Sequence, residues 1–422
     1  MTEHLSKFGR MLKQKILKTV LPNGITVLTD YMPCAYSATV GAWIPRGSRH
    51  EVLENNGLSH FYEHLVFKGT ENRTALEIAH AIEDRGGNLE AYTTRQETGF
   101  YAQVVKEDVA LALDVISDML MNPLFDAKEM EKERKVIIEE IHSYDDIAEE
   151  CVGDIFNEIH YKGCGLALPI AGTVKSVREL TREGMLEYER QVIEDLPLLV
   201  CAAGKVDHEK LVELVQKFFS KKTSAKKPFD DLYAANTGIK AKSKKELNQS
   251  SVFWGTSFDS VNGMEFSRAL GIFNVAFGGD MGSRLFQKIR EELGLAYSVY
   301  SMTDVYRNTL GWGVSFATDP QKADMALSLA KSELEKFLKN GFEKGELERT
   351  KKNIIGGLHI GADSTEKRLM RLADQTLHFG RFYTMAETEK EVKSFTEDRI
   401  LCILQKLFEK APFATAVVKP AE

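Results

Sequence analysis

Cysteine is scarce and scattered. The five residues Cys34, Cys151, Cys164, Cys201 and Cys402, among 422, are odd in number and form no C-x-x-C pair. That argues against a disulfide framework and a cysteine-based zinc site, and it fits a reducing compartment. No apolar run reaches the length of a transmembrane helix. The stretch from Met1 to Leu21 carries Lys7, Arg10, Lys13, Lys15 and Lys18 but neither an apolar stretch nor a small-residue cleavage site, so it does not read as a secretory signal. Glu3 and the early turn Pro22-Asn23-Gly24 weaken a transit-peptide reading. A cytoplasmic protein with no membrane partner is expected. Positive charge is also short. Lys and Arg number 55 against 62 Asp and Glu, giving a net charge of −7, which disfavours nucleic acid as a partner.

What is present describes a globular protein. With 43% hydrophobic and 28% charged residues, the chain is too long for one ordinary core, so two or more domains are expected. Lys15 to Asp30 reads as a hairpin around Leu21-Pro22-Asn23-Gly24, and Ser37 to Ile44 as a strand. A helix over Ala75 to Asp84 is stopped by Gly86-Gly87. Asn88 to Val105 reads as two strands around Arg95-Gln96-Glu97. Val109 to Met121 and Asp126 to Ser143 read as helices, the second long and charged. Cys151 to Glu194 reads as helical with loops, Leu198 to Gly204 as a buried strand and His208 to Ser220 as a helix. Lys221 to Lys245, with eight lysines, is the best linker candidate, its lysines read as a solvated loop.

The second half resembles the first. The segment starting Phe125-Asp126-Ala127-Lys128 lines up with Phe342-Glu343-Lys344-Gly345, and Ile137-Ile138 meets Ile354-Ile355 at the same offset. Asp108-Val109-Ala110-Leu111 meets Asp324-Met325-Ala326-Leu327 at an offset smaller by one. An offset near half the chain length reads as an internal duplication. Neither half shows a repeating βαβ period. The expected fold is α+β, two duplicated domains, each a largely antiparallel sheet packed with helices. The expected boundaries are 1–225 and 246–422, with a linker at 226–245.

One stretch does not repeat. Gly57-Leu58-Ser59-His60-Phe61-Tyr62-Glu63-His64-Leu65-Val66-Phe67 carries H-x-x-E-H, the inverted form of the zincin signature. His60 and His64 are i and i+4 on one helix face, with Glu63 at its edge. The bland alternative is a pair of hydrogen-bonded helix histidines. At the offset that carries Phe125 to Phe342, His60 to His64 fall on Phe277-Gly278-Gly279-Asp280-Met281, and Glu140 falls on Gly357. Features of the first copy alone are candidates for chemistry.

Glu140 follows well downstream of His64, in the context Glu133-Arg134-Lys135-Val136-Ile137-Ile138-Glu139-Glu140. Together with H-x-x-E-H, this resembles the pitrilysin family of zinc peptidases, which includes insulysin and the mitochondrial processing peptidase. The resemblance implies His60, His64 and Glu140 as ligands of one Zn2+ per chain, Glu63 as general base and Glu133 as a carboxylate behind the ligands. In the second half, Gly278 to Phe286 leads to Arg290-Glu291-Glu292-Leu293-Gly294-Leu295-Ala296-Tyr297. This is similar to the family segment in which an arginine and a tyrosine help hold substrate, here Arg290 and Tyr297.

The resemblance also implies that Glu90, Ala91 and Tyr92 lie on an edge strand to which the substrate backbone adds. Many members have asparagine where Glu90 stands, and a carboxylate there could favour basic residues near the cleaved bond. The family works as a clamshell of four such domains. A two-domain chain is therefore expected to form a homodimer, or a heterodimer with a paralogue, in which Arg290 and Tyr297 could be supplied in trans; the sequence leaves cis and trans both open. Unfolded peptides would be the substrates. The activity implied is that of a zinc-dependent endopeptidase. Two rivals stay open: a non-catalytic peptide-binding or scaffold subunit, and a protein whose zinc is structural. The latter needs a fourth ligand, and the nearest histidines in sequence, His80 and His142, read as ordinary helix residues.

Overall fold

A computed structural model describes residues 14–223, 234–245, 247–259 and 263–421. Eleven strands build two sheets among these residues. They are β1 (Lys15–Val20), β2 (Thr26–Tyr31), β3 (Ser37–Ile44), β4 (Asn88–Thr93), β5 (Thr98–Val105), β6 (Leu199–Gly204), β7 (Gly238–Lys244), β8 (Ser250–Asp259), β9 (Ala296–Val305), β10 (Thr309–Thr318) and β11 (Ala414–Pro420). The first half carries α1 (Leu58–Leu65), α2 (Ala75–Glu83), α3 (Val109–Met121), α4 (Ala127–Asp146), α5 (Ala148–His160), α6 (Val174–Glu179), α7 (Arg182–Glu194) and α8 (His208–Phe218). The second carries α9 (Gly263–Asn274), α10 (Ala323–Asn340), α11 (Glu346–Gly361), α12 (Thr365–Phe379), α13 (Met385–Ser394) and α14 (Glu397–Phe408).

The first sheet has the order β1-β2-β6-β3-β5-β4 and the second β7-β11-β8-β10-β9. Each is antiparallel except for one parallel pair, β2 with β6 and β7 with β11. The α+β expectation therefore holds, as mixed, largely antiparallel sheets. Among the described residues β4 and β9 end their sheets and leave free edges.

The two halves exchange helices. On one face of the first sheet, Ala38, Val40, Phe100 and Ala102 pack against α3 and α1. The other face, with Leu28, Trp43, Tyr101 and Leu199, is covered by Leu369, Leu372 and Ala373 of α12, a helix of the second half. Reciprocally, Cys151, Val152, Ile155 and Phe156 of α5 cover Phe253, Ala414, Ala416 and Val418 of the second sheet. Helices α5 and α12 start at the offset that relates Phe125 to Phe342, so the duplicated copies repeat the exchange. The inner strands β3 and β10 are buried on both sides, which is why they read as nearly continuous apolar runs rather than alternating ones. At about 25 cal/mol per Å² of apolar surface, each large side chain closed off by an exchanged helix stabilises the pair by roughly 2 kcal/mol. Arg368 of α12 adds an ion pair to the buried Asp30, its Nε 2.8 Å from the carboxylate.

The lysine-rich run is corrected in part. Residues 224–233 lie outside the described set, whereas 238–244 form β7 rather than a solvated loop. Its alternation is inverted: Ile239 is 81% exposed, while Lys240, Lys242 and Lys244 are half-buried. The lysines turn inward to meet carboxylates of the first half. Lys240 reaches Glu158 at 2.6 Å and Lys242 reaches Asp145 at 2.7 Å. Those partners lie far away in the chain, so lysine content alone reads as solvent exposure.

Candidate metal centre

Helix α1 is short and almost wholly buried: Leu58, Phe61, Tyr62 and Leu65 face the core. It starts at Gly57, which has no side chain to cap it. Gly57 has φ +94°, and a Cβ there would come within 2.7 Å of the Ala171 carbonyl. Both the conformation and the space require glycine. The open helix start is closed instead by buried Glu51. One of its oxygens accepts from Gly57 N–H at 2.7 Å and from Asn56 Nδ2 at 3.0 Å, and the other accepts from Ser59 N–H at 2.7 Å. A carboxylate at a helix N-terminus is favourable on both hydrogen-bond and dipole grounds.

Helix α4 packs against α1. Met130, Glu133, Ile137 and Glu140 are spaced three and four apart and so share one helix face. That face carries Glu133 and Glu140 to the two histidines. His60 Nε2 lies 3.6 Å from Glu140 Oε1, and His64 Nε2 lies 3.5 Å from Glu140 Oε2. The imidazole centroids are 4.5 Å apart. Nitrogen–oxygen separations of this size are too long for good hydrogen bonds. They suit the edges of a tetrahedron whose centre lies about 2.0–2.1 Å from each donor, which would place donors roughly 3.3 Å apart. These three donor atoms lie within 4.8 Å of one another, the one such cluster among the described residues.

The electrostatics fit a cation. Glu63, Glu133 and Glu140 converge on two imidazoles, and Lys68 pairs with Glu133, so carboxylates outnumber the positive side chain at the site. Burial, reinforced by the neighbouring His64, pushes the His60 pKa down to about 3, so His60 is a neutral donor. Burial also opposes a charge on His64, but the Glu133 hydrogen bond and the charges of Glu63, Glu140 and Glu133 outweigh it and draw a proton or other cation to that ring. His64 Nδ1 is 2.8 Å from Glu133 Oε1, and the other Glu133 oxygen is 2.8 Å from Lys68 Nζ. An N–H on Nδ1 leaves the Nε2 lone pair aimed at the Glu140 side. His60 Nδ1, by contrast, is buried without a hydrogen-bond partner among the described residues. A zinc ion fits this donor set of two imidazoles and one carboxylate.

Glu63 lies on the same cleft wall as His60, His64 and Glu140. Thr93 Oγ1 donates to Glu63 Oε2 at 2.6 Å. Burial raises the Glu63 pKa, with the Thr93 bond and His64 pulling it back. The cleft has a volume of about 2260 Å³, larger than the usual range for a small-molecule pocket. It runs between the metal cluster, β4, α5 and the outer face of the second sheet, where Tyr300, Met302 and Asp304 of β9 line it.

The remaining residues singled out by sequence separate into groups. Ala91 and Tyr92 line the cleft; Tyr92 turns its hydroxyl to accept from Trp43 Nε1 at 2.9 Å. Glu90 is held on its own sheet, accepting from Asn88 at 2.7 Å and from the Tyr101 hydroxyl at 2.5 Å. Arg290 stacks over Tyr297 at 4.7 Å, and Tyr297 is 78% exposed. The structure thus pairs Arg290 with Tyr297 but does not bring them to the wall that carries His60, His64 and Glu140 within one chain. His142 lines the cleft but does not join the donor cluster, and His80 is exposed beside Asp84. Sequence reasoning missed Lys68, which pairs with Glu133, and Tyr144, which lines the cleft and hydrogen-bonds Glu140. Each lies four positions beyond a ligand candidate, His64 and Glu140, and the i, i+4 rule could have found both. It also missed Thr93, which only the sheet topology brings to Glu63.

Comparison with known proteins agrees with this geometry. Residues 26–174 match the family described as insulinase (peptidase family M16), and residues 179–354 match the family described as the peptidase M16 inactive domain. An uncharacterized zinc protease of Streptomyces coelicolor is 33% identical over 95% of this chain and 89% of its own length. One of Bacillus subtilis is 31% identical over 94% and 97%. The fold matches a protease from Helicobacter pylori with TM-score 0.89, at 18% identity over 96% of this chain and all of that one. A peptidase M16 inactive domain structure from Pseudomonas fluorescens gives TM-score 0.87, at 14% identity over 97% and 99%. The stretch matched by the inactive-domain family, residues 179–354, contains none of the donor cluster. The chain belongs to the M16 (insulinase) family of peptidases.

Proposed function

We propose that the protein is a zinc-dependent endopeptidase that hydrolyses unfolded peptides, the reading supported by relatives named zinc proteases. The observation that carries it is one cleft wall holding a three-donor cluster, an independently oriented carboxylate and, beside them, the cleft-lining residues of an unpaired sheet edge. A zinc ion held by His60, His64 and Glu140 would supply Lewis-acid polarisation of the scissile carbonyl and an acidified water, the fourth position being left open.

The protein's own groups account for the rest. The free edge of β4 offers main-chain N–H and C=O groups to an extended peptide, which binds as an added strand largely irrespective of its side chains. That requires an unfolded segment, since a folded substrate has no strand to spare. Glu63 keeps one oxygen on Thr93 and, among the described residues, has the other free to take a proton from the attacking water and deliver it to the leaving amine. Its raised pKa suits both the uptake and the return of that proton. Glu133 and Lys68 hold the His64 ring so that no rearrangement is needed during turnover.

The reading extends to assembly. Arg290 and Tyr297 stand in the half that lacks donors, away from the cleft wall of their own chain, with the Tyr297 ring exposed. A second copy of the chain, or a paralogue, would bring such a pair opposite the cluster, where Tyr297 could donate to a developing oxyanion and Arg290 hold the substrate backbone. Among the described residues no helix is long and apolar enough to cross a membrane, in keeping with a cytoplasmic enzyme. The test is hydrolysis of an unstructured, internally quenched peptide by the purified protein before and after chelation. Zinc-restored cleavage of the peptide, with a stably folded protein left intact, is expected. Zinc binding without any cleavage across a varied peptide set would instead indicate a binding subunit.

A further inference from the structure

The carboxylate proposed as the base is tied to the strand proposed to receive the substrate. Glu63 lies on α1 and Thr93 is the last residue of β4, 30 positions later in the chain. Thr93 donates the hydrogen bond found for Glu63 among the described residues, at 2.6 Å, the short range of O–H···O⁻ bonds. The alternation of β4 explains why Thr93 can reach it. Leu89 and Ala91 pack on the core that includes Phe61 and Leu65 of α1, so Thr93, two positions further, points to the same face. Glu90 and Tyr92 point the other way, to Tyr101 and Trp43. Thr93 is itself fixed by its cross-strand pairing with Thr98, whose hydroxyl donates to the Arg46 carbonyl at 3.0 Å. The bond is therefore anchored in the sheet and not in a loose loop.

From this geometry we infer that Thr93 is a positioning residue for Glu63: its hydroxyl holds Oε2, leaves Oε1 to accept the proton, and locks the carboxylate to the strand along which the peptide lies. This rests on the reading of Glu63 as the base. A glutamate side chain has three rotatable bonds, and without Thr93 its carboxylate loses this tether. Among the described residues the Thr93 hydroxyl meets Glu63 and Thr98, and bonds to none of His60, His64 and Glu140 nor to the free edge of β4. Its removal should therefore change the chemical step and leave metal and peptide binding alone.

The test uses an internally quenched, unstructured nonapeptide rich in Arg and Lys with five zinc-loaded proteins: wild type, Thr93→Val, Thr93→Ser, Glu63→Gln and the double variant Glu63→Gln/Thr93→Val. Valine keeps the shape of threonine and removes only the hydroxyl. For Thr93→Val, kcat is expected to fall roughly ten- to hundredfold, the loss typical of a hydrogen bond to a charged group, with KM within about twofold. Thr93→Ser should recover most of kcat. Zinc content should be unchanged in all five. In the two Glu63→Gln proteins, peptide affinity measured by fluorescence anisotropy should be equal, and any residual turnover should be equal as well, because a tether to a missing base does nothing.

If Glu63→Gln is inactive while Thr93→Val runs at the wild-type rate, this inference alone falls. It also falls if Thr93→Val acts through KM, through lost zinc or through weaker peptide binding in the Glu63→Gln background. Wild-type turnover by Glu63→Gln overturns the base reading and this inference with it.

Discussion

Replacing Glu133 by glutamine puts the cluster's electrostatics to a quantitative test. Glu133 bridges His64 Nδ1 and Lys68 Nζ, 2.8 Å to each, and its side chain is only 8% exposed. Glutamine has nearly the same size but presents one oxygen and one NH2. If the oxygen stays on His64, the NH2 faces the Lys68 ammonium, donor against donor. If the amide turns over, its NH2 faces His64 Nδ1 and drives the ring proton to Nε2, the nitrogen 3.5 Å from Glu140. Either arrangement spoils a donor. Outer partners of metal-binding imidazoles are worth about ten- to hundredfold in affinity, or roughly 1.4–2.8 kcal/mol. Because both bonds of this carboxylate are charge-assisted and half-buried or deeper, the upper part of that range is expected. Competition for zinc against a fluorescent chelator near neutral pH measures it. Adding Lys68→Met removes the donor–donor conflict, so the double variant should regain about tenfold over Glu133→Gln alone. Unchanged zinc affinity in Glu133→Gln, or no recovery in the double variant, would refute the reasoning.

Further consequences concern packing and pH. Ile137, fully buried on α4 between Glu133 and Glu140, should cost about 2–5 kcal/mol of stability as Ile137→Ala in urea unfolding, and zinc affinity should fall with it. Gly165→Ala should be worse tolerated than an ordinary loop substitution. Its Cβ would sit 1.8 Å from the Arg49 carbonyl oxygen, and Arg49 is buried and held by Gln96 and Asn308, so a loss of at least about 1–3 kcal/mol is expected in thermal melts. His378 of α12 lies 2.8 Å from Asp374 and 3.4 Å from Glu97 of the first half. The contacts are ionic more than well-aligned hydrogen bonds, since neither His378 Nδ1 nor Glu97 Oε2 meets hydrogen-bond geometry. Burial opposes the charge, but the two carboxylates outweigh it and raise the pKa to about 10. The folded pKa exceeds the ordinary 6.5, so the contribution is fully present below that value and is lost as pH rises through about 10. Wild type should lose on the order of a few kcal/mol more than His378→Gln between those limits, as read by denaturant midpoints at a series of pH values. Parallel curves for the two proteins would contradict this.

Much of the first half was legible because its signals are local. The strand over Ser37 to Ile44 and the helix over Val109 to Met121 have the boundaries that their residue patterns predict. The hairpin around Arg95-Gln96-Glu97 follows from turn chemistry between two β-rich runs. H-x-x-E-H names its own geometry, because i and i+4 on a helix must be neighbours. Glu140 was less local: helix periodicity places it on one face with Glu133, but only the family resemblance tied that face to α1.

Three features escaped, each set by contacts distant in sequence. The helix exchange depends on which sheet α5 and α12 cover, and an amphipathic helix does not specify its partner. Strand β7 hid behind lysines whose counter-charges lie in another half of the chain. Thr93 looked like any strand threonine until the sheet brought it to Glu63. The Glu90 carboxylate, expected to address substrate, is engaged by Asn88 and Tyr101 on the face away from Glu63, which shifts attention to the main chain of β4.

The central claim is that an open metal site and a separate base share one cleft wall. Zinc content and peptide turnover, measured on the same preparations of wild type and Glu63→Gln, test it most directly. The account predicts that both bind about one zinc per chain, that wild type cleaves the quenched peptide, and that the variant loses turnover by about 10²–10⁴-fold. Wild-type turnover in Glu63→Gln, or loss of zinc together with activity, would contradict it.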